Sequence, residues 1–94
     1  MRVISRKILR DFCESHGDSC DALYDWYRVS SKAEWQNLID VQQTYPKAEA
    51  VGNFTVFIFN IKGNRYRLIV DLVYDSQRIY IKYVLTHAEY DKDE

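Results

Sequence analysis

The stretch that decides the fold is FTVFIFNIKGNRYRLIVDLVYDSQRIYIKYVL, residues 54–85. It is rich in β-branched and aromatic residues, which favour strands. Two short segments interrupt it: the Gly63-Asn64 pair tolerates the positive φ of a tight hairpin, and Asp75-Ser76-Gln77 offers a second turn. The stretch therefore predicts three consecutive antiparallel strands, at residues 54–61, 65–74 and 78–85.

A hairpin at Gly63-Asn64 also predicts which side chains share a face of the sheet, because strand side chains alternate. Ile61 is then opposite Tyr66, and Phe59 is opposite Leu68. The predicted core face consists of Phe57, Phe59, Ile61, Tyr66, Leu68, Val70, Ile79, Ile81, Tyr83 and Leu85. The predicted opposite face carries Asn60, Lys62, Arg65, Arg67, Arg78, Tyr80 and Lys82, with the apolar Ile58, Ile69 and Val84 among them.

The N-terminal half of the chain has mostly a helical period. Its predicted elements are a strand at residues 2–4, helices at 6–15, 20–29 and 31–43, and a loop from Pro46 to residue 53. Ser5 is predicted to cap the first helix through its side chain. Ser31-Lys32-Ala33-Glu34 has the form of a capping box, so it is predicted to start the third.

A second capping-box pattern, Thr86-His87-Ala88-Glu89, predicts a short C-terminal helix. Helices followed by an antiparallel meander define an α+β fold, with the N-terminal helices packed on one face of the sheet. The chain has 94 residues and is 47% hydrophobic, enough for one core. Residues 1–94 are therefore predicted to form a single domain.

The charge is unevenly distributed, although the net value is only −1. Between Lys62 and His87 there are five Lys or Arg residues against two Asp, whereas residues 89–94 hold four acids and one lysine. Cations beside an aromatic side chain on an open sheet suit a phosphate backbone and a stacked base. The alternative is an ordinary solvated face on which long cationic side chains lie along apolar surface.

Cys13 and Cys20 are the only two cysteines. The opening MRVISRKILRDF has basic residues where a secretory signal needs an apolar run. No apolar run approaches the roughly 18 residues that a membrane span needs. We therefore expect a cytoplasmic protein without membrane association, whose two cysteines are free thiols.

Two segments, FNIKGNRYRLIV at 59–70 and YIKYVLTHAEYDK at 80–92, resemble the HigB-type toxins of the RelE/ParE superfamily. The opening MRVISRKILRDF and the aromatic-rich helices fit the same pattern, so the resemblance covers almost the whole chain. Its most specific parts are the Gly63-Asn64 turn leading to Arg67, and Thr86-His87 followed by Glu89-Tyr90-Asp91. The resemblance implies a RelE-like fold and the toxin of a type II toxin-antitoxin system.

The resemblance further implies an endoribonuclease that cuts translated mRNA on the ribosome without a metal or other cofactor. Its partner is then a helix-turn-helix antitoxin of the HigA type. Such cleavage needs a base, an acid and cations that stabilise a more negative phosphate. The candidate catalytic residues are Arg67, Lys82, His87 and Tyr90. The candidate RNA-binding residues are Asn60, Lys62, Arg65, Arg78 and Tyr80.

Structural alternatives stand beside these roles. His87 also fits as the first residue of a capped helix, and Arg67 as an ion-pair partner of Asp71 or Glu89. Lys82 also fits as a solvated cation, and Tyr90 as a packing residue. The alternative functions are a ParE-like toxin that binds DNA gyrase, and a non-catalytic binding module on the same fold.

Overall fold

The computed structural model describes residues 1–52, 55–63 and 65–92, with side chains through residue 89. Its elements are β1 Arg2–Ile4, α1 Arg6–Ser15, a 3₁₀ turn Gly17–Ser19, α2 Cys20–Lys32, α3 Leu38–Thr44, β2 Glu49–Val51, β3 Val56–Ile61, β4 Tyr66–Val73, β5 Arg78–Thr86 and α4 His87–Lys92. Helices precede the main strands, and a short helix ends the described chain. The α+β prediction is confirmed.

The strands form one sheet in the order β1-β5-β4-β3-β2. The predicted β3–β4 register is confirmed, with Ile61 opposite Tyr66 and Phe59 opposite Leu68. In the hairpin, the Arg65 N–H donates to the Lys62 carbonyl at 3.3 Å. Phe54 and Asn64, which were predicted to belong to the strand and its turn, lie outside the described residues.

The two outer strands change the sheet from the predicted meander. β1 pairs with β5 in parallel, so the sheet is mixed. β2 pairs antiparallel with β3 inside the segment that was predicted to be a loop. Only three residues form β2, which is too short for a strand period to be recognised in sequence.

The helices cover one face of the sheet and form the core with it. Leu9 of α1, Leu23 of α2 and Val41 of α3 are fully buried in one cluster with the strand residues. The Trp26 ring meets the Phe59 ring edge-on, with centroids 5.5 Å apart. The strand side chains in this cluster are Phe57, Phe59, Ile61, Tyr66, Leu68, Val70, Leu72, Ile79, Ile81 and Val84.

A β-bulge reverses the faces of β5 along its length. Val70 pairs with Ile81 but Ile69 pairs with Tyr83, so Lys82 is an extra residue without a partner across from it on β4. Beyond a bulge the side chains exchange faces. Val84 is consequently buried and Tyr83 is 61% exposed.

The predictions that Tyr83 and Leu85 belong to the core face and Val84 to the opposite face were therefore wrong. Ile79 and Ile81, which precede the bulge, lie on the core face as predicted.

One predicted helix cap and one predicted helix start were also wrong. Ser5 precedes α1 but has φ 71° and makes no side-chain capping bond, so only its position is as expected. Ser31 lies inside α2, which continues to Lys32 because its hydrogen bonding is not interrupted there. Instead, the Asn37 side chain caps α3 and accepts from the Asp40 N–H at 3.0 Å.

Cys13 and Cys20 form a disulfide, so the prediction of free thiols was wrong. The 3₁₀ turn reverses the chain between α1 and α2 and brings the two Cα atoms to 4.9 Å. That separation lies within the usual range for a disulfide. The prediction of free thiols rested on the cellular compartment alone, which says nothing about how close two cysteines lie in the fold.

None of the helices in the described ranges is both long enough and apolar enough to cross a membrane.

Candidate active site

The sheet face that the helices leave uncovered carries most of the predicted site residues. We call it the open face. Its described side chains around the middle and the hairpin end are Ile58, Asn60, Arg67, Ile69, Lys82, Tyr83 and Leu85. Ile58 is only 7% exposed yet lies outside the core cluster, so this face has an apolar centre bordered by cations.

Arg67 is on β4, which lies between β3 and β5 in the sheet. It lies opposite Asn60 of β3 on one side and Leu85 of β5 on the other. Its side chain is half-buried, whereas Asn60 is exposed. Residues directly opposite one another in an antiparallel pair have Cβ atoms about 5 Å apart. Asn60 and Arg67 therefore form one polar pair on the open face.

Lys82 lies on the open face, as alternation predicts, and the bulge brings Tyr83 to the same face. Lys82 and Tyr83 are both exposed, while Ile81 and Val84 on either side of them are buried. The extra residue thus adds an ammonium group to this face without removing the aromatic ring that follows. Tyr83 was not among the predicted site residues, because an alternating pattern places it in the core.

His87 begins α4 directly after β5. Its N–H donates to the Arg65 carbonyl at 2.9 Å, which fixes the start of the helix beside the hairpin. The predicted capping box is present: the Glu89 N–H donates to the Thr86 hydroxyl oxygen at 3.1 Å, and the Thr86 N–H donates to the Glu89 carboxylate at 3.0 Å. The backbone N–H of Thr86 first, and then its hydroxyl, hold the pKa of the Glu89 carboxylate below its usual value.

The His87 side chain is exposed and lies at the same end of the sheet as Arg67. Leu85, which faces Arg67, is two residues before His87. Tyr90 is in α4, but its side chain lies outside the part of the chain that is described. The structure therefore brings Arg67 and His87 to one end of the sheet, with Lys82 closer to its middle.

The hairpin cations Lys62 and Arg65 both contact Asp18, in the 3₁₀ turn. The Lys62 and Arg65 nitrogens lie 3.5 and 3.3 Å from one Asp18 carboxylate oxygen, and the Tyr66 hydroxyl donates to the other. The Tyr66 bond first, and then Lys62 and Arg65, hold the pKa of Asp18 below its usual value. The same bond raises the pKa of Tyr66.

Asp18 therefore offsets part of the charge that the sequence offered for RNA binding. It is 44 residues from Lys62, and no local pattern connects the two. Sequence reasoning missed this residue for that reason.

A shallow cleft of about 560 Å³ lies at the end of the sheet beside the hairpin and α4. Its lining residues are His16, Arg65, Tyr66, Thr86, His87 and Ala88. The His16 ring stacks on the Phe12 ring with centroids 4.2 Å apart and meets the Tyr66 ring edge-on. The stack is typical of a structural histidine, although His16 also borders the cleft beside His87.

Arg78 and Tyr80 lie at the other end of β5. The Arg78 guanidinium donates to the Tyr80 hydroxyl at 3.4 Å, and Tyr80 lies opposite Asp71. Six residues separate Tyr80 from Thr86, which corresponds to about 20 Å of strand. The structure does not bring these two predicted RNA-binding residues together with Arg67 and His87.

Within the described ranges, no group of three or more His, Cys, Asp or Glu residues is arranged to hold a metal ion. Cys13 and Cys20 are bonded to each other, so neither offers a thiolate.

The comparison with known families adds to this geometry. The model of the HigB toxin family, described as the RelE-like toxic component of a toxin-antitoxin system, matches residues 19–93. The chain belongs to the HigB toxin family. The matched region contains β3, β4, β5 and α4, and with them all nine predicted site residues of this HigB-family chain.

Three similar proteins are each named as an mRNA interferase. The mRNA interferase toxin HigB of Escherichia coli K12 is 27% identical over 95 residues, which cover 97% of this chain and 88% of that protein. The mRNA interferase HigB of Shigella flexneri matches to the same extent. The protein of the same name from Escherichia coli O6:H1 is 24% identical over 96 residues, covering 98% of this chain and 90% of the relative.

Proposed function

We propose that this HigB-family toxin is an endoribonuclease that cuts translated mRNA at the hairpin end of its sheet, without a metal ion. The observation that carries the proposal is the convergence of Arg67 with His87 at the junction of β5 and α4. The names of the relatives, each an mRNA interferase, support the same substrate. The cytoplasm, where messages are translated, is the compartment that this proposal requires.

The chemistry would be a transesterification within the RNA. The 2′ oxygen forms a bond to phosphorus, the bond to the 5′ oxygen breaks, and the products are a 2′,3′-cyclic phosphate and a 5′-hydroxyl end. The 2′-hydroxyl proton passes to a base, and the leaving oxygen takes a proton from an acid. An imidazole can accept a proton at one ring nitrogen and donate one from the other, so His87 suits either transfer.

The cations would stabilise the phosphate as its charge grows. The guanidinium of Arg67 can donate two parallel hydrogen bonds to phosphate oxygens, and Lys82 adds a point charge. Tyr90 is proposed to supply the second proton transfer or to stack on a base. Asn60, Lys62 and Arg65 are proposed to bind the RNA strand around this centre, and Arg78 and Tyr80 to bind it farther along β5.

Two partners follow from the proposal. The ribosome would present the message as an extended single strand, since a stacked duplex would not give its 2′-hydroxyl the in-line geometry. A helix-turn-helix antitoxin would neutralise the toxin by covering the open face, whose apolar centre and cationic border suit a protein surface. Co-expression with the product of an adjacent gene tests this second partner, because a true antitoxin restores growth and co-purifies with the toxin.

The central experiment is induction in a bacterial host followed by primer extension on a translated message. We expect growth arrest together with new 5′ ends inside reading frames. Growth arrest with intact messages and altered DNA supercoiling would instead indicate a gyrase-binding toxin.

The ribosome and metal claims are tested separately in vitro. Toxin freed of metal by a chelator and gel filtration should cut a message bound to purified ribosomes as fast as untreated toxin. The same message without ribosomes should be cut far more slowly. Loss of activity after chelation, restored by a divalent cation, contradicts metal independence.

A further inference from the structure

A second concave site lies at the outer edge of the sheet, away from His87. It is a cleft of about 390 Å³, which is within the range of small-ligand pockets, roughly 300–1,000 Å³. Its lining residues are Tyr45, Pro46, Lys47, Ala48, Phe59, Asn60 and Gly63. None of these except Asn60 belongs to the predicted site.

The cleft exists because β2 is shorter than β3. β2 pairs with β3 only as far as Ile58, and β3 continues to Ile61. In the described ranges, no strand pairs with this last part of β3 on its outer side. The segment 45–48 runs past it, and Pro46 has no N–H with which to bond to the strand edge.

The walls of the cleft suit a flat aromatic ligand. The Tyr45 and Phe59 rings meet edge-on with centroids 5.2 Å apart, and Ala48 is 6% exposed beside them. Tyr45 is about half buried, and that burial raises the pKa of its hydroxyl. A nucleobase has apolar faces that stack on such side chains and polar edges that need hydrogen bonds.

The rim supplies the polar groups that a nucleotide requires. Asn60 is exposed, and its side-chain amide has both a donor and an acceptor for the edge of a base. Lys47 is also exposed, and an ammonium group there can approach a phosphate.

The position of the cleft connects it to the candidate active site. Asn60 is the cross-strand partner of Arg67, so the rim of the cleft begins one strand away from the guanidinium proposed to hold the reacting phosphate. Adjacent strands lie about 4.8 Å apart, less than the length of one extended nucleotide. A strand of RNA whose phosphate is at Arg67 can therefore place a neighbouring base at this edge.

We propose that this cleft binds a base of the message next to the cleaved bond and thereby gives the toxin its sequence preference. The proposal rests on the proposed function. Tyr45, whose ring is backed by the buried ring of Phe59, contacts the base, Asn60 hydrogen-bonds to its edge, and Lys47 binds the following phosphate.

The test is the sequence of the ends that the toxin produces. Messages from cells that express each variant are sequenced from their cut ends, which gives the base frequency at every position relative to the cut. Wild type should favour one base at a fixed position beside the cut. Asn60→Ala and Tyr45→Leu should each reduce that preference roughly tenfold, since one good base contact discriminates by about that factor.

The matched control is Gln43→Ala, on the exposed side of α3 and outside the cleft. It should retain the wild-type preference. Thermal unfolding of each purified variant checks the fold, and Asn60→Ala should unfold like wild type because that side chain is exposed.

Each outcome has a distinct meaning. An unchanged preference in folded Asn60→Ala and Tyr45→Leu, or no base preference in wild type, overturns the base pocket. Weaker antitoxin binding with an unchanged preference also overturns it, because the edge of β3 is then a protein interface. If wild type produces no cut ends at all, the proposed nuclease function itself fails.

Discussion

The two halves of β5, before and after Lys82, are both rich in apolar and aromatic residues, but their side chains alternate in opposite phase. Before Lys82, Ile79 and Ile81 face the core, as alternation predicts. After Lys82, the order is reversed: Val84 is buried, and Tyr83 turns to the open face. The comparison shows that a period of two assigns faces only as far as the next bulge. Apolar and aromatic residues on both faces of this half concealed the shift.

The largest expected effect comes from placing a charge beyond the bulge, first on the core face at Val84 and then on the open face at Tyr83. Val84→Asp should cost on the order of 3–5 kcal/mol of unfolding free energy, because it buries an uncompensated carboxylate. Tyr83→Asp should cost far less, since that side chain is 61% exposed. Chemical denaturation of both variants measures the difference. Equal losses, or a larger loss for Tyr83→Asp, would mean that the alternation continues through Lys82.

The next prediction compares Arg67 and His87, which lie near the last residues of β5, with Arg78 at its first residue. His87→Gln and Arg67→Ala should each slow cleavage by a factor on the order of 10² or more, with little change in thermal stability. Arg78→Ala, at the far end of the strand, should have a much smaller effect on the chemical step. Single-turnover cleavage at saturating ribosome-bound message is the measurement. If His87→Gln cleaves like wild type, His87 is only the first residue of α4.

A smaller effect distinguishes the two tyrosines. Tyr83→Ala should weaken binding of single-stranded RNA roughly tenfold, because loss of base stacking costs about 1–3 kcal/mol. Tyr80→Ala should weaken it less, since Tyr80 is half-buried and hydrogen-bonded by Arg78. Fluorescence anisotropy with a labelled oligonucleotide gives both affinities. A larger loss for Tyr80→Ala would assign RNA binding to the first half of the strand.

The smallest effect concerns Asp18 and depends on pH. Its folded pKa lies below the usual 3.8, so its contribution to stability is present above that pH and is lost as the pH falls through the lowered pKa. Asp18→Asn should therefore be slightly less stable than wild type at pH 7. The difference should disappear in strong acid. Melting temperatures across a pH series measure it, and a difference that grows in acid contradicts the assignment.

Local signals explain which parts of the fold could be predicted. The Gly63-Asn64 pair and the strand period fixed the β3–β4 register, and the Thr86/Glu89 pair gave the start of α4. In contrast, the disulfide, β2 and the start of α3 depend on contacts or short segments that no local period reveals. Asn37 caps α3 although Ser31 has the better sequence pattern.

The candidate site divides in the same way. Arg67 and His87 were predicted because each adjoins a recognisable turn or cap, and the structure brings them to one end of the sheet. Asp18 and Tyr83 were missed. The first is distant in sequence from its partners, and the second changes face through a single unpaired residue. Tertiary charge pairing and bulges are the two features that a pattern of residue types does not contain.

The bulge at Lys82 also affects how this protein tolerates changes in length. Replacing Lys82 with another polar residue leaves the bulge intact, whereas deleting it would remove the bulge and leave Ile81, Tyr83 and Val84 in regular alternation, with Tyr83 still on the open face and Val84 still in the core. The same deletion in the turn between β4 and β5, at Asp75 or Ser76, shortens an exposed connection and leaves the phase of the paired residues unchanged. Single deletions should therefore preserve the fold both at the bulge, where the open face loses one cation, and in the turn seven residues earlier.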